Sequence, residues 1–191
     1  MTAGTSRFRQ GAGRISLDFL RTLRYRGRQE QTEELGTEAD LAVWLGQFGP
    51  ALPALDERVP SGDELAGARR LREAIFGLIT DIRAGAACPA ATLDTVNRGA
   101  SHAVPAPRLD PGGQLSWHAP DPVPAVLALV ARDALELAAS PAVARLRECG
   151  NPDCRVLFLD TSRPGARRWC DMSTCGNQAK KAAFRGKATA S

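Results

Sequence analysis

Long apolar runs are missing from this chain of 191 residues; no stretch approaches the roughly 18 apolar residues of a membrane-spanning helix. Met1 to Arg14 is polar, with no apolar segment ahead of a small-residue cleavage site, so no secretory leader is read there and a cytoplasmic protein is expected. Aromatic residues are scarce, at 5% with a single tyrosine, so the core must lean on Leu, Val and Ala. His102 and His118 are the only histidines. Two isolated histidines are more often surface or core residues than a metal or pH-sensing pair. The chain has no Gly-rich phosphate loop, no Ser-x-x-Lys, no His-Glu-x-x-His and no Gly-x-Ser-x-Gly. With no acid–base pair or open metal site to point to, an enzyme is the weakest reading.

What is present is concentrated near the C-terminus. Four of the five cysteines form two matched pairs, Cys149-x4-Cys154 and Cys170-x4-Cys175, with fifteen residues between them. Four thiolates close a tetrahedral shell around Zn²⁺ and leave no position open, so such a centre organises structure and does no chemistry. Two disulfides are the other reading, and they need an oxidising compartment. The missing leader and the odd Cys88 weigh against them. Cys88 itself, before Pro89 and without a basic neighbour, reads as an inert buried thiol. Turn formers sit inside both pairs, Gly150-Asn151-Pro152 and Ser173-Thr174, as a zinc knuckle requires. We therefore expect one structural Zn²⁺ per chain, held by Cys149, Cys154, Cys170 and Cys175.

Between the pairs, Val156 to Asp160 is β-prone, Ser162 to Gly165 is a turn signal, and Arg167 to Trp169 returns toward Cys170. The order reads as knuckle, hairpin, second pair. The Ala- and Lys-rich stretch after Cys175 predicts a helix beginning at or beside that ligand, with Lys180 and Lys181 exposed and Phe184 packed inward. This is the layout of a treble-clef finger. So small a module buries little core, and metal binding would supply its folding energy.

Charge follows the same division. Arg145 to Ser191 holds ten Lys and Arg against four Asp and Glu, a formal +6, while the rest of the chain stands at −2. A zinc tetrathiolate contributes −2, which leaves the finger about +4. Such asymmetry is the electrostatic footprint of a nucleic-acid binder; the bland alternative is a solvated tail. DNA contacts are expected from Arg163, Arg167 and Arg168 on the hairpin side and from Gln178, Lys180, Lys181 and Arg185 on the helix side. Base edges would be read by Arg167, Arg168 or Arg185, and adenine by Gln178.

The remainder reads as helical. Ile15, Phe19, Leu20 and Leu23 share one helical face, and Asp18 interrupts that stripe as a half-buried carboxylate. Asp18 is either the structural partner of an Arg or, with Arg21, part of a ligand pocket. Arg26 to Gly36 reads as a loop. Capping boxes at Thr37-Glu38-Ala39-Asp40 and Ser61-Gly62-Asp63-Glu64 open two helices, the second running to near Gly85. Ala90 to Ala100 is a shorter helix. Six of the thirteen prolines lie between Pro105 and Pro124, where the turn Asp110-Pro111-Gly112-Gly113 favours a hairpin over a linker. Pro122 to Ala139 is amphipathic, and Ser140-Pro141 opens a last helix, Ala142 to Glu148, that runs into Cys149 and docks the finger. The fold class is thus mainly α with a small β-hairpin component. A helical N-terminal domain over 1–140 carries the central hairpin, and a treble-clef-like zinc finger built on four cysteines spans 141–191.

Trp169-Cys170-x-Met172-x-x-Cys175-Gly176-Asn177-Gln178-x-Lys180 resembles the CGNR zinc finger of bacterial proteins. Cys149-Gly-Asn-Pro-Asp-Cys154 and Phe158-Leu159-Asp160-Thr161-Ser162-Arg163 are similar to that family too. Leu17-Asp18-Phe19-x-x-Thr22-Leu23 and Thr37-x-x-Asp40-Leu41-x-x-Trp44-Leu45 resemble its partner, the ABATE domain, so the likeness covers about residues 13 to 186. The resemblance implies a stress-response transcription regulator. Two positions depart from the pattern. The Arg that names the finger is Gln178 here, and the Asn expected before Thr22 is Arg21. If that Arg touches phosphate, one charge-assisted bond is lost; if it buttresses the finger, Gln keeps part of the bonding.

The leading functional reading is a regulator whose finger holds DNA while the helical domain senses a small-molecule ligand or forms a homodimer. The alternatives are a zinc-stapled protein-interaction module, or a small-molecule binder with the finger as its lid. No membrane partner is expected.

Overall fold

A computed structural model describes residues 7–52, 55 and 58–181. Among the described residues five helices form the larger part: α1 (Ile15–Leu20), α2 (Glu38–Phe48), α3 (Gly62–Arg83), α4 (Ala90–Ser101) and α5 (Pro122–Ala139). Both expected capping boxes are formed. Thr37 accepts the Asp40 N–H and Ser61 accepts the Glu64 N–H, while each carboxylate bonds back to its cap residue. These reciprocal bonds satisfy backbone donors that the first turn leaves without partners.

The α3, α4 and α5 helices pack against one another, and α1 lies across α3 and α5. The α5 helix is apolar nearly all round because it is the central helix, with Val126, Val130, Ala131 and Ala134 fully enclosed. Trp44 anchors α2 between Phe19 and Phe48, both at ring-centroid distances of 4.7 Å. The N-terminus of α1 is capped from a distance: Asp133 of α5 accepts the Ser16 N–H at 3.0 Å and pairs with Arg14 at 2.8 Å.

Among the described residues there are also three two-stranded antiparallel sheets. The stretch Arg26 to Gly36, read as a loop, belongs to a short hairpin that pairs β1 (Leu23–Arg24) with β2 (Thr32–Glu33). A buried polar cluster holds this hairpin to α3. Arg72, 2% exposed, donates to Glu33 at 2.5 and 2.6 Å and to the Thr22 hydroxyl at 3.0 Å. No local pattern reveals it, because the partners lie up to fifty positions apart. The expected central hairpin is present as β3 (Ala106–Leu109) and β4 (Leu115–His118), and it stands in solvent.

The chain after α5 departs from expectation. Pro141–Arg145 is a single 3-10 turn, and Leu146–Glu148 is strand β5 rather than helix. It pairs with β6 (Leu157–Leu159) in the register Leu146↔Leu159, Arg147↔Phe158, Glu148↔Leu157. This hairpin therefore closes around the first cysteine pair instead of lying between the pairs. Tertiary pairing overrides the helical propensity of Ala142 to Glu148, because it buries Leu146 opposite Leu159.

The finger is docked on the helices. The Leu159 N–H donates to the Ala12 carbonyl at 2.8 Å. Gly13 sits against Leu159 at φ +93°, where an added Cβ would lie 3.1 Å from the Leu159 Cβ. Both the left-handed backbone and the close approach require glycine there. Leu146, Phe158 and Leu159 join one core with Leu17, Phe19 and Ile79.

A Glu33→Ala change leaves the Arg72 guanidinium buried with its main partner gone. Glu73 still pairs with the Arg72 Nε at 2.9 Å, so we predict a loss of about 2 kcal/mol in global stability by urea denaturation, the cost of a buried charge only partly compensated. A loss below about 1 kcal/mol would show that the cluster is not structural.

Candidate metal centre

The finger's turns are built by short polar side chains. In the first knuckle the Asn151 carbonyl accepts the N–H groups of Cys154 (2.9 Å) and Arg155 (3.2 Å), and its side-chain oxygen accepts the Asp153 N–H (3.0 Å). This tight turn places Arg155 at φ 50°. The return segment is held to the knuckle by the Gly150 N–H, which donates to the Arg168 carbonyl at 2.8 Å. Asp160, fully buried, accepts from the Ser162 N–H (2.9 Å), the Ser162 hydroxyl (2.6 Å) and the Arg167 N–H (2.9 Å). The Ser162 hydroxyl, with those N–H groups, holds its carboxyl down to about 2.

Asp171 plays the matching part at the second pair. It caps a helical segment that starts as a π-turn, Met172–Gly176, and continues as α-helix over 177–181. The Ser173 and Thr174 hydroxyls and the Thr174 N–H hold the Asp171 carboxyl down to about 2. Cys175 therefore lies inside the first turn of the finger helix, next to its expected start.

These turns bring the four sulfurs of Cys149, Cys154, Cys170 and Cys175 within 4.8 Å of one another. No disulfide joins them. Cys154 to Cys170 and Cys170 to Cys175 are each 3.7 Å. A tetrahedron with Zn–S bonds of about 2.3 Å has edges of about 3.8 Å, so the spacing fits zinc and leaves no open ligand position. Three of the cysteines are buried and Cys154 is partly so.

The thiols cannot all ionise without a cation. The sulfur–sulfur hydrogen bond with Cys170 lowers the Cys154 thiol to about 5. Cys170 is pushed far up, first by that same bond to Cys154 and then by burial. Burial, with the neighbouring Cys154, pushes Cys175 up to about 11. Divalent metal is what makes four thiolates compatible at this spacing.

Two family models match the chain. One, described as "Putative stress-induced transcription regulator" and named ABATE, covers residues 13–141; the other, "CGNR zinc finger", covers residues 145–188. The chain belongs to the ABATE family. No curated protein sequence matches it. In this ABATE protein the zinc is structural, one ion on the four-cysteine shell of the CGNR finger.

The basic residues separate into two groups. Arg167 is absorbed into the finger: it donates to the Trp169 carbonyl at 2.8 Å and to the Cys170 carbonyl, and stacks over Phe158. Arg163, Arg168, Lys180 and Lys181 are exposed and have no acidic partner among the described residues. Gln178 is exposed, and its side-chain oxygen accepts from Asn151 at 2.8 Å. Phe184 and Arg185 lie outside the described residues.

Asp18 accepts the Ala12 N–H at 2.9 Å and pairs with Arg21 at 3.3 Å, and burial raises its carboxyl above the ordinary range. Arg21, 4% exposed, also donates to the Gln10 carbonyl at 2.9 Å. It lines a cavity of about 450 Å³ between the helical part and the finger, bordered by Cys154, Trp169 and Gln178 as well. The two positions that depart from the family pattern, Arg21 and Gln178, thus meet at one cavity. Tyr25 and Arg9 also line it, and the sequence offers no signal for either. Asp160 and Asp171 were missed, although each carries a signal, an Asp followed two residues later by Ser. Cys88 is partly exposed, and burial, with Asp81 nearby, raises its thiol, which keeps it inert.

Zinc loading of the apo protein at pH 7 must expel the protons held by Cys170 and Cys175. Calorimetric titration in buffers of different ionisation enthalpy should report release of about two protons or more per zinc. Release of fewer than about one would contradict the four-thiolate shell. A Cys170→Ser chain should bind zinc far more weakly by chelator competition and lose the finger's fold.

Proposed function

We propose that this protein binds double-stranded DNA through the exposed cations of its finger, and that the helical part over 1–140 senses a ligand or pairs with a second copy. The observation that carries the reading is the freedom of Arg163, Arg168, Lys180 and Lys181 from acidic partners among the described residues. Cations held by carboxylates would give up those pairs before reaching phosphate. These four would not. Arg167 serves as a buttress in this reading, because its guanidinium is spent on two carbonyls. Adenine reading by Gln178 would have to displace Asn151 from its side-chain oxygen. The four side chains are therefore assigned to phosphate, which gives affinity and position rather than sequence.

A second reading is supported by the β3–β4 hairpin. Leu109 and Leu115 face each other across the strands and are 70% and 58% exposed. A zinc-stapled interaction module would use such an apolar tip.

The readings separate in a titration of genomic DNA fragments by fluorescence anisotropy at several salt concentrations. Each phosphate contact steepens the fall of log affinity by about 0.9 per unit of log salt. Replacing Lys180 and Lys181 by Ala should flatten the slope by about 1.8 and weaken binding to all fragments alike. No binding at about 50 mM salt removes the DNA reading and leaves the interaction module.

A further inference from the structure

The cavity at the seam is lined by three arginines, Arg9, Arg21 and Arg24, against one acid, Asp153, among the described residues. The Tyr25 hydroxyl oxygen accepts from Arg24 at 2.9 Å, the Asn151 side-chain oxygen from the Asp153 N–H, and the Gln178 side-chain oxygen from Asn151. Asp153, the one acid among the lining residues, is 79% exposed and lies 3.6 Å from Arg28. The donors are not used up. Arg21 is 4% exposed, and its Nε is enclosed with no acceptor among the described residues. Arg9 makes no hydrogen bond or ion pair among those residues and acts on Glu34 only at a distance. An enclosed guanidinium nitrogen without an acceptor is costly and calls for a physical account.

Tyr25, the only tyrosine, sits at φ 51°, a region a bulky side chain enters at a cost. Tyr25 lines the cavity together with Val156 and Trp169 of the finger, which supply apolar wall. The volume, about 450 Å³, suits a small molecule. A negative group with oxygen acceptors matches the surplus donors, and the Arg fork suits carboxylate and phosphate alike.

We propose that this seam cavity binds a small organic oxyanion, a carboxylate or phosphate ester on a compact apolar body. The site deepens the ligand-sensing half of the proposed function and rests on that reading. Its walls come from both parts of the chain: Arg9, Arg21 and Tyr25 from the N-terminal side, the knuckle and Ala179 of the finger helix from the other. A ligand there would fix the finger helix against the helical part. The zinc shell is the competing occupant of this field, since Cys154 and Cys175 also border the cavity and a tetrathiolate carries −2. Arg21 could serve that charge alone, and the experiment separates the two roles.

The test uses the zinc-loaded full chain with three probes: benzoate, phenyl phosphate and neutral benzamide. Binding is read by saturation-transfer NMR. Benzoate or phenyl phosphate should bind with a Kd of about 1–10 mM, as expected for so few atoms, and benzamide should not bind. The tighter of the two anions tells carboxylate from phosphate. Ala179→Phe fills the cavity from the finger helix and should abolish binding. Arg9→Gln, which breaks no contact, should weaken it about threefold to fivefold with zinc content unchanged. The proposal is overturned if neither anion binds, if benzamide binds as well as they do, or if Ala179→Phe binds them unchanged. Loss of zinc from Arg21→Gln without any anion binding to the native chain also overturns it, and assigns Arg21 to the thiolates. DNA binding is measured on the same samples. Anion binding without DNA binding keeps the cavity and removes the regulator reading; DNA binding without anion binding does the reverse.

Discussion

Four sulfur atoms within 4.8 Å of one another cannot all carry charge unless a cation sits among them. The rest of the finger depends on that constraint. Its two hairpin strands are three residues each, and its helix opens on an irregular π-turn. Neither would persist alone in water. The metal shell ties the knuckle, the return segment and the helix start together at one point. Through β6 it also reaches the helices, because Leu159 is both a strand residue and the partner of Ala12. Zinc thus stabilises the seam as well as the finger.

The arginines show how the fold divides its positive charge. In the helical part they are mostly committed: Arg14 to Asp133, Arg72 to Glu33, Arg24 to Glu34, Arg26 to Glu73. Among the described residues of the finger only Arg155 has a carboxylate partner, Glu148, and Arg167 has carbonyls. The difference follows from what each must hold. Long-range pairs fix hairpins and helix ends onto the core, whereas in the finger Asp160 and Asp171 are occupied with hydroxyl and N–H groups. Carboxylates engaged in turns are not available to neutralise the surface cations around them.

At the seam the guanidinium sits on the helical wall. Gln178 on the finger and Arg21 in the N-terminal motif are the two positions at which the sequence departs from the motifs it resembles. Both residues border one cavity. Gln178 is short enough to accept from Asn151, and Arg21 is long enough to reach the Gln10 carbonyl while lining the cavity.

Local rules made much of this protein legible. The capping boxes at Thr37 and Ser61, the Asp110 turn, the helix from Pro122 to Ala139 and the cysteine pairs depend on residues a few positions apart, and all five were readable. The β5 strand was not, because Ala142 to Glu148 is helix-prone alone and becomes partly strand only when Leu146 meets Leu159. The β1–β2 hairpin was missed for the same reason, its anchor Arg72 being far along the chain. Of the seam cavity the sequence pointed only to Arg21, read with Asp18 as a candidate ligand pocket. The cavity exists only where residues near position 21 are packed against residues near positions 154 and 178. Sequence alone determined the metal and its ligands, since spacing and thiol chemistry suffice. Only the tertiary structure decided which cations remain free and where donors are left unpaired, because both are settled by partners distant in the chain.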